Sequence, residues 1–146
     1  MLLIGAINAV NRQEVFGRLE ADGATWMFHP NVSRFAQAAR AEPTPPYYFF
    51  PDWGLFTSFA MITRGTIPFW TEFIAARARA NLCAGRDVEF VSTRPGHDSR
   101  IARWTEEIGW AAPRLEEFRQ KDGRRIFVAV RWSARRGPGE GRPCPH

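Results

Sequence analysis

Residues 47–65 read YYFFPDWGLFTSFAMITRG, and this stretch decides the fold. Its first four residues are aromatic and stand next to prolines, which is typical of a short strand covered on both faces. Pro51 ends the strand, and Asp52 is expected to cap a helix over Trp53–Thr63. Arg64-Gly65 should close that helix, because glycine readily adopts the left-handed conformation of a C-cap. The stretch therefore predicts a buried strand followed directly by a helix.

The segments on either side of this unit alternate between helical and strand-like patterns. They predict a helix over 32–42 capped by Asn31, a helix over 69–84 opened by Pro68, a strand over 87–93 and a helix over 99–109. Because helices separate the strands, we expect parallel pairing with right-handed crossovers.

A hairpin is expected at the end of the body. Residues 113–121 and 124–132 are strand-like runs that flank Asp122-Gly123, a dipeptide that favours a two-residue turn. The fold class that follows is α/β: a small sandwich with a mixed sheet of about four strands flanked by helices, ending in a C-terminal β-hairpin.

Composition limits the classes of protein to which the chain can belong. The chain has 146 residues and a formal net charge of +5, and Lys121 is the one lysine among twenty basic residues. Such a surface attracts anions such as phosphates, acidic lipid headgroups or nucleic acid. Cys83 and Cys144 lie far apart with no CxxC motif, which argues against a structural zinc site and leaves the redox compartment open.

The chain divides into three parts by composition. Residues 1–23 are an apolar start and lead-in, 24–133 a single α/β domain, and 134–146 a Gly/Pro/Arg-rich tail expected to be disordered. Met1–Val10 is apolar but shorter than the roughly 20 residues that span a bilayer, and it lacks the pattern of a signal peptide. It is either an N-terminal helix packed on its own domain or the last turns of a membrane helix.

Asp52, Trp53 and Gly54 are the candidate ligand-binding residues. In an open α/β sheet, ligands bind beyond the carboxyl ends of strands, and glycine permits close approach of the backbone. The alternative is structural, with Asp52 as an N-cap, Trp53 as a core residue and Gly54 as a packing residue. No GxGxxG or GxxxxGK[ST] motif is present to decide between them.

Three arginines of the third predicted helix and its end, Arg77, Arg79 and Arg86, are candidates for an anion-binding surface, against the alternative of scattered exposed arginine. The run His97-Asp98-Ser99 contains the residue types of a hydrolase triad. Sequence neighbours do not readily form that geometry, and no GxSxG motif accompanies them. We therefore assign no catalytic residue, no metal ligand and no cofactor.

The 47–65 stretch resembles a segment of the C-terminal soluble domain of bacterial polytopic membrane glycosyltransferases of the GT-C type. The resemblance rests on the strand before Asp52-Trp53-Gly54, the helix ending at Ile62-Thr63-Arg64-Gly65, the lead-in over 26–35 and the distal hairpin at Asp122-Gly123. It covers about 24–132 and is one of pattern and order. Those enzymes use polyprenyl-phosphate-linked sugar donors, and their catalytic acid lies in the membrane portion, so no catalytic residue carries over.

The resemblance implies a non-catalytic domain on the periplasmic side of the inner membrane. It would assist substrate positioning or stabilise the membrane portion, with that portion and a lipid-linked sugar as partners and Met1–Val10 as the end of a membrane helix. One alternative is a free-standing cytoplasmic α/β domain that binds a nucleotide or phosphorylated small molecule at residues 52–55. Another is a basic nucleic-acid-binding domain, which the scattered arginines disfavour.

Overall fold

The computed structural model describes residues 29–137 and Cys144. The expectations for Met1–Val10, the lead-in and most of the tail lie outside these residues. The described part contains the elements α1 (Pro30–Ala41), β1 (Tyr47–Phe49), α2 (Trp53–Thr63), β2 (Phe69–Trp70), α3 (Ala75–Cys83), β3 (Val88–Ser92), α4 (Asp98–Ile108), β4 (Arg114–Arg119) and β5 (Arg125–Trp132).

The strands form one mixed sheet in the order β2-β1-β3-β5-β4. β1 pairs in parallel with both β2 and β3, whereas β5 runs antiparallel to both β3 and β4. The predicted α/β sandwich with a mixed sheet and a terminal hairpin is therefore confirmed, with five strands instead of about four.

The additional strand lies where the sequence predicted the start of a helix. Phe69 and Trp70 pair with Tyr48 and Phe49 of β1, and the Tyr48 amide donates to the Pro68 carbonyl at 3.1 Å. Aromatic residues favour strands when a neighbouring strand is available to pair with them. The helix consequently begins at Ala75 and not at Phe69.

Helices cover both faces of the sheet. One core contains α1, α2 and the side chains of Tyr48 and Phe50; the other contains α3, α4 and Phe49. Tyr48, Phe49 and Phe50 are fully buried, as predicted for a strand covered on both faces, whereas Tyr47 at the start of the strand is half-buried. Since α2 follows β1 on one face and α4 follows β3 on the other, the chain diverges beyond the carboxyl ends of two adjacent parallel strands.

The start of α1 differs from the predicted cap at Asn31. His29 occupies the N-cap position, where its Nδ1 accepts a hydrogen bond from the Asn31 amide at 3.1 Å. Pro30 is the first residue of the helix. Proline suits this position because an amide there would have no acceptor within the helix. The Asn31 side chain instead donates to the Arg119 carbonyl at 3.1 Å, and so connects α1 to the hairpin.

The hairpin turn is one residue longer than predicted. The Gln120 amide donates to the Arg124 carbonyl at 2.8 Å, and the Gly123 amide donates back to the Gln120 carbonyl at 3.0 Å. Gly123 has a φ of 84°, the left-handed conformation that completes a three-residue loop. Asp122-Gly123 therefore marks the hairpin correctly, with glycine at the bulge position of the loop.

Cys83 and Cys144 form a disulfide, with their Cα atoms 5.5 Å apart. Cys83 is the last residue of α3, so the bond attaches a residue of the predicted tail to the helical layer. Within that same tail, Ala134–Arg136 form a short 3₁₀ turn. Across the described residues, no helix is long and apolar enough to cross a membrane.

Candidate functional site

The divergence of the chain beyond β1 and β3 is where open α/β sheets place their ligands. Asp52 lies at this point, between β1 and α2, and is 3% exposed. Its side chain makes no capping hydrogen bond to α2, in contrast to the predicted N-cap. The carboxylate instead points across to the end of β3.

Three donors from the last residue of β3 and the two residues after it converge on Asp52. The Ser92 hydroxyl donates to Oδ2 at 2.7 Å, and the Thr93 amide donates to the same oxygen at 2.6 Å. Arg94 Nε lies 2.8 Å from Oδ1. Asp52 therefore ties the end of β1 directly to the end of β3, through residues about forty positions away in the chain.

His97 completes this group, which we call the carboxyl-edge tie (Asp52, Ser92, Thr93, Arg94 and His97). His97 Nδ1 lies 2.6 Å from Ser92 Oγ, and the Arg94 amide donates to the same oxygen at 3.0 Å. Because the single proton of Ser92 is donated to Asp52, we assign a proton to His97 Nδ1. Burial lowers the pKa of His97, partly opposed by Asp52, so the ring is neutral at pH 7.

The tie contains the residue types of a serine hydrolase in the wrong order. In a hydrolase, histidine stands between the serine and the acid, so that it can remove the serine proton. Here Ser92 stands between Asp52 and His97, and Ser92 has no exposed surface at all. The arrangement holds two loops together, and it presents no nucleophile to a substrate.

The other predicted ligand-binding residues begin α2. Trp53 is its first residue, and Gly54, the second, is buried. The Leu55 amide donates to the Asp52 carbonyl at 3.2 Å. The structure therefore keeps the three candidates together at the divergence point, with the Asp52 side chain engaged by the chain itself.

The run His97-Asp98-Ser99 does not act as a unit. Asp98 pairs with Arg125 at 2.5 Å, and the Ser99 hydroxyl donates to the Gly96 carbonyl at 3.0 Å. Asp98 and Ser99 therefore bond to different partners, and His97 bonds to Ser92.

The three candidate anion-binding arginines have different surroundings. Arg77 stacks on the Trp70 ring at 4.0 Å, whereas Arg79 donates to the Ile108 carbonyl at 2.6 Å and so connects α3 to α4. Arg86 is exposed in the turn before β3. Arg77 and Arg79 therefore contact different elements, β2 and α4.

A second polar cluster, not predicted from the sequence, lies at the opposite edge of the sheet. Arg131 of β5 donates through Nη1 and Nη2 to the two carboxylate oxygens of Glu42, at 3.0 and 2.9 Å. Its Nε donates to Asp87 at 3.0 Å, and Glu89 lies 3.8 Å from Nη1. Burial acts to lower the pKa of Arg131, but its hydrogen bonds to Glu42 and the neighbouring carboxylates outweigh burial and raise it.

Glu89 is the unusual member of this cluster. It lies in the middle of β3, 7% exposed, and pairs across the sheet with Tyr48 and Arg131. Burial raises the pKa of Glu89 to about 7, against the opposing charge of Arg131. Burial also raises the pKa of the Tyr48 hydroxyl. A charged residue inside the apolar run VEFVS was the available sequence signal for this cluster.

Glu89→Gln is expected to stabilise the protein at pH 8 by about 3 kcal/mol. The pKa of Glu89 rises from 4.5 to about 7 on folding, so the unfolded chain loses its proton first as the pH rises. As far as Glu89 determines it, the free energy of unfolding is therefore highest below pH 4.5, falls between pH 4.5 and 7, and stays lower above pH 7. Urea unfolding of both proteins at pH 5 and 8 measures the difference.

Glu72→Gln, at an exposed position between β2 and α3, is the matched control and should change stability by less than about 0.5 kcal/mol at either pH. Equal stability of the Glu89→Gln and unmodified proteins at pH 8 would contradict the elevated pKa.

No known protein family, curated protein or solved structure matches this chain. Within residues 29–137 and Cys144, no group of three or more His, Cys, Asp or Glu side chains is placed to hold a metal ion.

Proposed function

We propose that the chain is a non-catalytic soluble domain of a membrane glycosyltransferase-like protein, on the periplasmic side of the inner membrane. There it helps to position a substrate or stabilises the membrane portion. One observation carries the proposal: Asp52, the acid of the stretch that resembles this class, is bonded by Ser92, Thr93 and Arg94 of its own chain. A buried acid with internal partners supports a structural motif over a catalytic one.

The disulfide supports the location. Bonds such as Cys83–Cys144 form and persist in oxidising compartments, among them the bacterial periplasm, and are rare in the cytosol. The sequence alone left the compartment open, and the pairing of these two cysteines now favours an exported domain.

Exposed aromatic and arginine side chains favour a partner that has both anionic and apolar parts. Trp70 is 43% exposed with Arg77 stacked on its ring, and Arg94 and Arg100 are exposed near the carboxyl edge of the sheet. Aromatic rings with a polar partner suit membrane–water interfaces, and arginine attracts acidic headgroups. These residues support contact with the membrane portion or a lipid-linked sugar.

Fractionation of cells that produce the protein from its natural gene tests the proposal. We expect the chain in the membrane fraction, open to added protease in spheroplasts, and with both cysteines protected from a maleimide until a reductant is added. The Cys83→Ser/Cys144→Ser variant controls for the labelling. Recovery of a reduced chain from the cytosol would overturn both the location and the class.

A further inference from the structure

A cleft of about 490 Å³ opens at the amino edge of the sheet, opposite the carboxyl-edge tie. We call it the amino-edge cleft. Its polar wall comes from the loops before β1 and β3 and from the end of β5, and consists of Glu42, Thr44, Asp87, Arg131, Ser133 and Arg135. Its volume falls in the range of small-molecule sites, about 300–1,000 Å³.

The carboxylates of this wall are held in place before any ligand arrives. Arg131 binds both oxygens of Glu42 and one oxygen of Asp87. The second Asp87 oxygen accepts the Ala134 amide at 2.8 Å and the Ser133 hydroxyl at 3.3 Å. Each Glu42 oxygen accepts one bond from Arg131, whereas a carboxylate offers about four acceptor positions in all. Glu42 is half-buried on the cleft wall and keeps free acceptor positions for a ligand. Because Arg131 already holds its side chain in place, ligand binding loses little side-chain entropy there.

The charges of the wall balance. Glu42 and Asp87 contribute two negative charges, and Arg131 and Arg135 contribute two positive ones. A wall of this kind gives neither a phosphate nor a polyamine the net attraction that a charged ligand needs to offset its desolvation. It offers both acceptors and donors, with the hydroxyls of Thr44 and Ser133 beside the charged groups. Hydroxyl groups match such a wall, because each can donate to a carboxylate and accept from a guanidinium.

We propose that the amino-edge cleft binds a neutral polyhydroxylated ligand of about monosaccharide size. The proposal rests on the proposed function, to which it adds the class of molecule that the domain holds and the edge of the sheet where it is held. Glu42 accepts hydrogen bonds from the ligand hydroxyls, and Arg135 donates to them.

Titration of the purified, oxidised chain with glucose, followed by the backbone amide NMR signals, tests the proposal. We expect saturable shifts at Gly85, Asp87 and Ala134 with a Kd in the millimolar range, about 1–10 mM. Arg135→Ala removes a charged donor and should weaken binding about tenfold. Thr44→Trp places a large ring in the cleft and should abolish the shifts.

Arg103→Ala is the matched control, since it removes an exposed arginine from α4, and should leave the Kd unchanged. Saturable shifts with inorganic phosphate but not glucose would assign an anion site and overturn the proposal. Absence of saturable shifts up to about 100 mM glucose would also overturn it, as would shifts that persist in Thr44→Trp. The two tests have distinguishable failures. A cytosolic chain that binds glucose refutes the proposed location and class but keeps the cleft, whereas a membrane-bound chain that does not bind glucose refutes the cleft alone.

Discussion

Asp52→Ala is expected to lower the free energy of unfolding by about 4 kcal/mol, because one buried and one part-buried donor lose their acceptor at about 2 kcal/mol each. These donors are the Ser92 hydroxyl and the Thr93 amide. The Arg94 guanidinium can turn into solvent and adds little. Urea unfolding followed by circular dichroism measures the loss. The Asp52→Asn variant should have a free energy of unfolding between those of the unmodified protein and Asp52→Ala, since its amide oxygen still accepts a hydrogen bond.

Asp98→Ala provides the matched control for Asp52. Asp98 also pairs with one arginine, Arg125, but its side chain is 42% exposed, so its loss should cost less than about 1 kcal/mol. A stable Asp52→Ala protein would contradict the structural role that we give to the carboxyl-edge tie. Such a result would return Asp52 to the candidate ligand-binding residues.

The sequence placed Asp52 correctly but assigned its side chain to the wrong partner. The local pattern of a strand, a proline and an acid before an apolar run is sufficient to predict a helix that starts at Trp53. The choice of Ser92 and Thr93 over the α2 amides depends on β1 lying beside β3, which no local pattern specifies. The same limit applies to Phe69 and Trp70, whose strand exists only because β1 is there to pair with.

Glu89 and Arg131 show what part of a site a single sequence can reveal. A lone glutamate inside an apolar strand is a visible anomaly, because charged residues are almost never fully buried unless paired. Its partner Arg131, however, stands at the end of an alternating run where an exposed basic residue is ordinary. The antiparallel register of β3 and β5, which sets Glu89 opposite Arg131, is needed to recognise the pair. Glu42 joins them only through the packing of α1 on the sheet.

Reduction of the Cys83–Cys144 disulfide is expected to lower the free energy of unfolding by about 4 kcal/mol and the Tm by roughly 10 °C. The bond closes a loop of 61 residues that includes β3, α4 and the hairpin. In the chain-entropy account, such a loop removes many conformations from the unfolded state, and reduction restores them. Thermal unfolding with and without a reductant measures the change.

The Cys83→Ser/Cys144→Ser variant should unfold at the Tm of the reduced protein and should not respond to reductant. If reductant lowers the Tm of this variant equally, the effect does not come from the disulfide. If the unmodified protein keeps its Tm on full reduction, the bond adds no stability, and stability gives the domain no need of an oxidising compartment. A loss near 4 kcal/mol is a large share of the 5–15 kcal/mol that stabilises a typical domain. A chain with that dependence is best suited to a compartment in which the bond is kept oxidised.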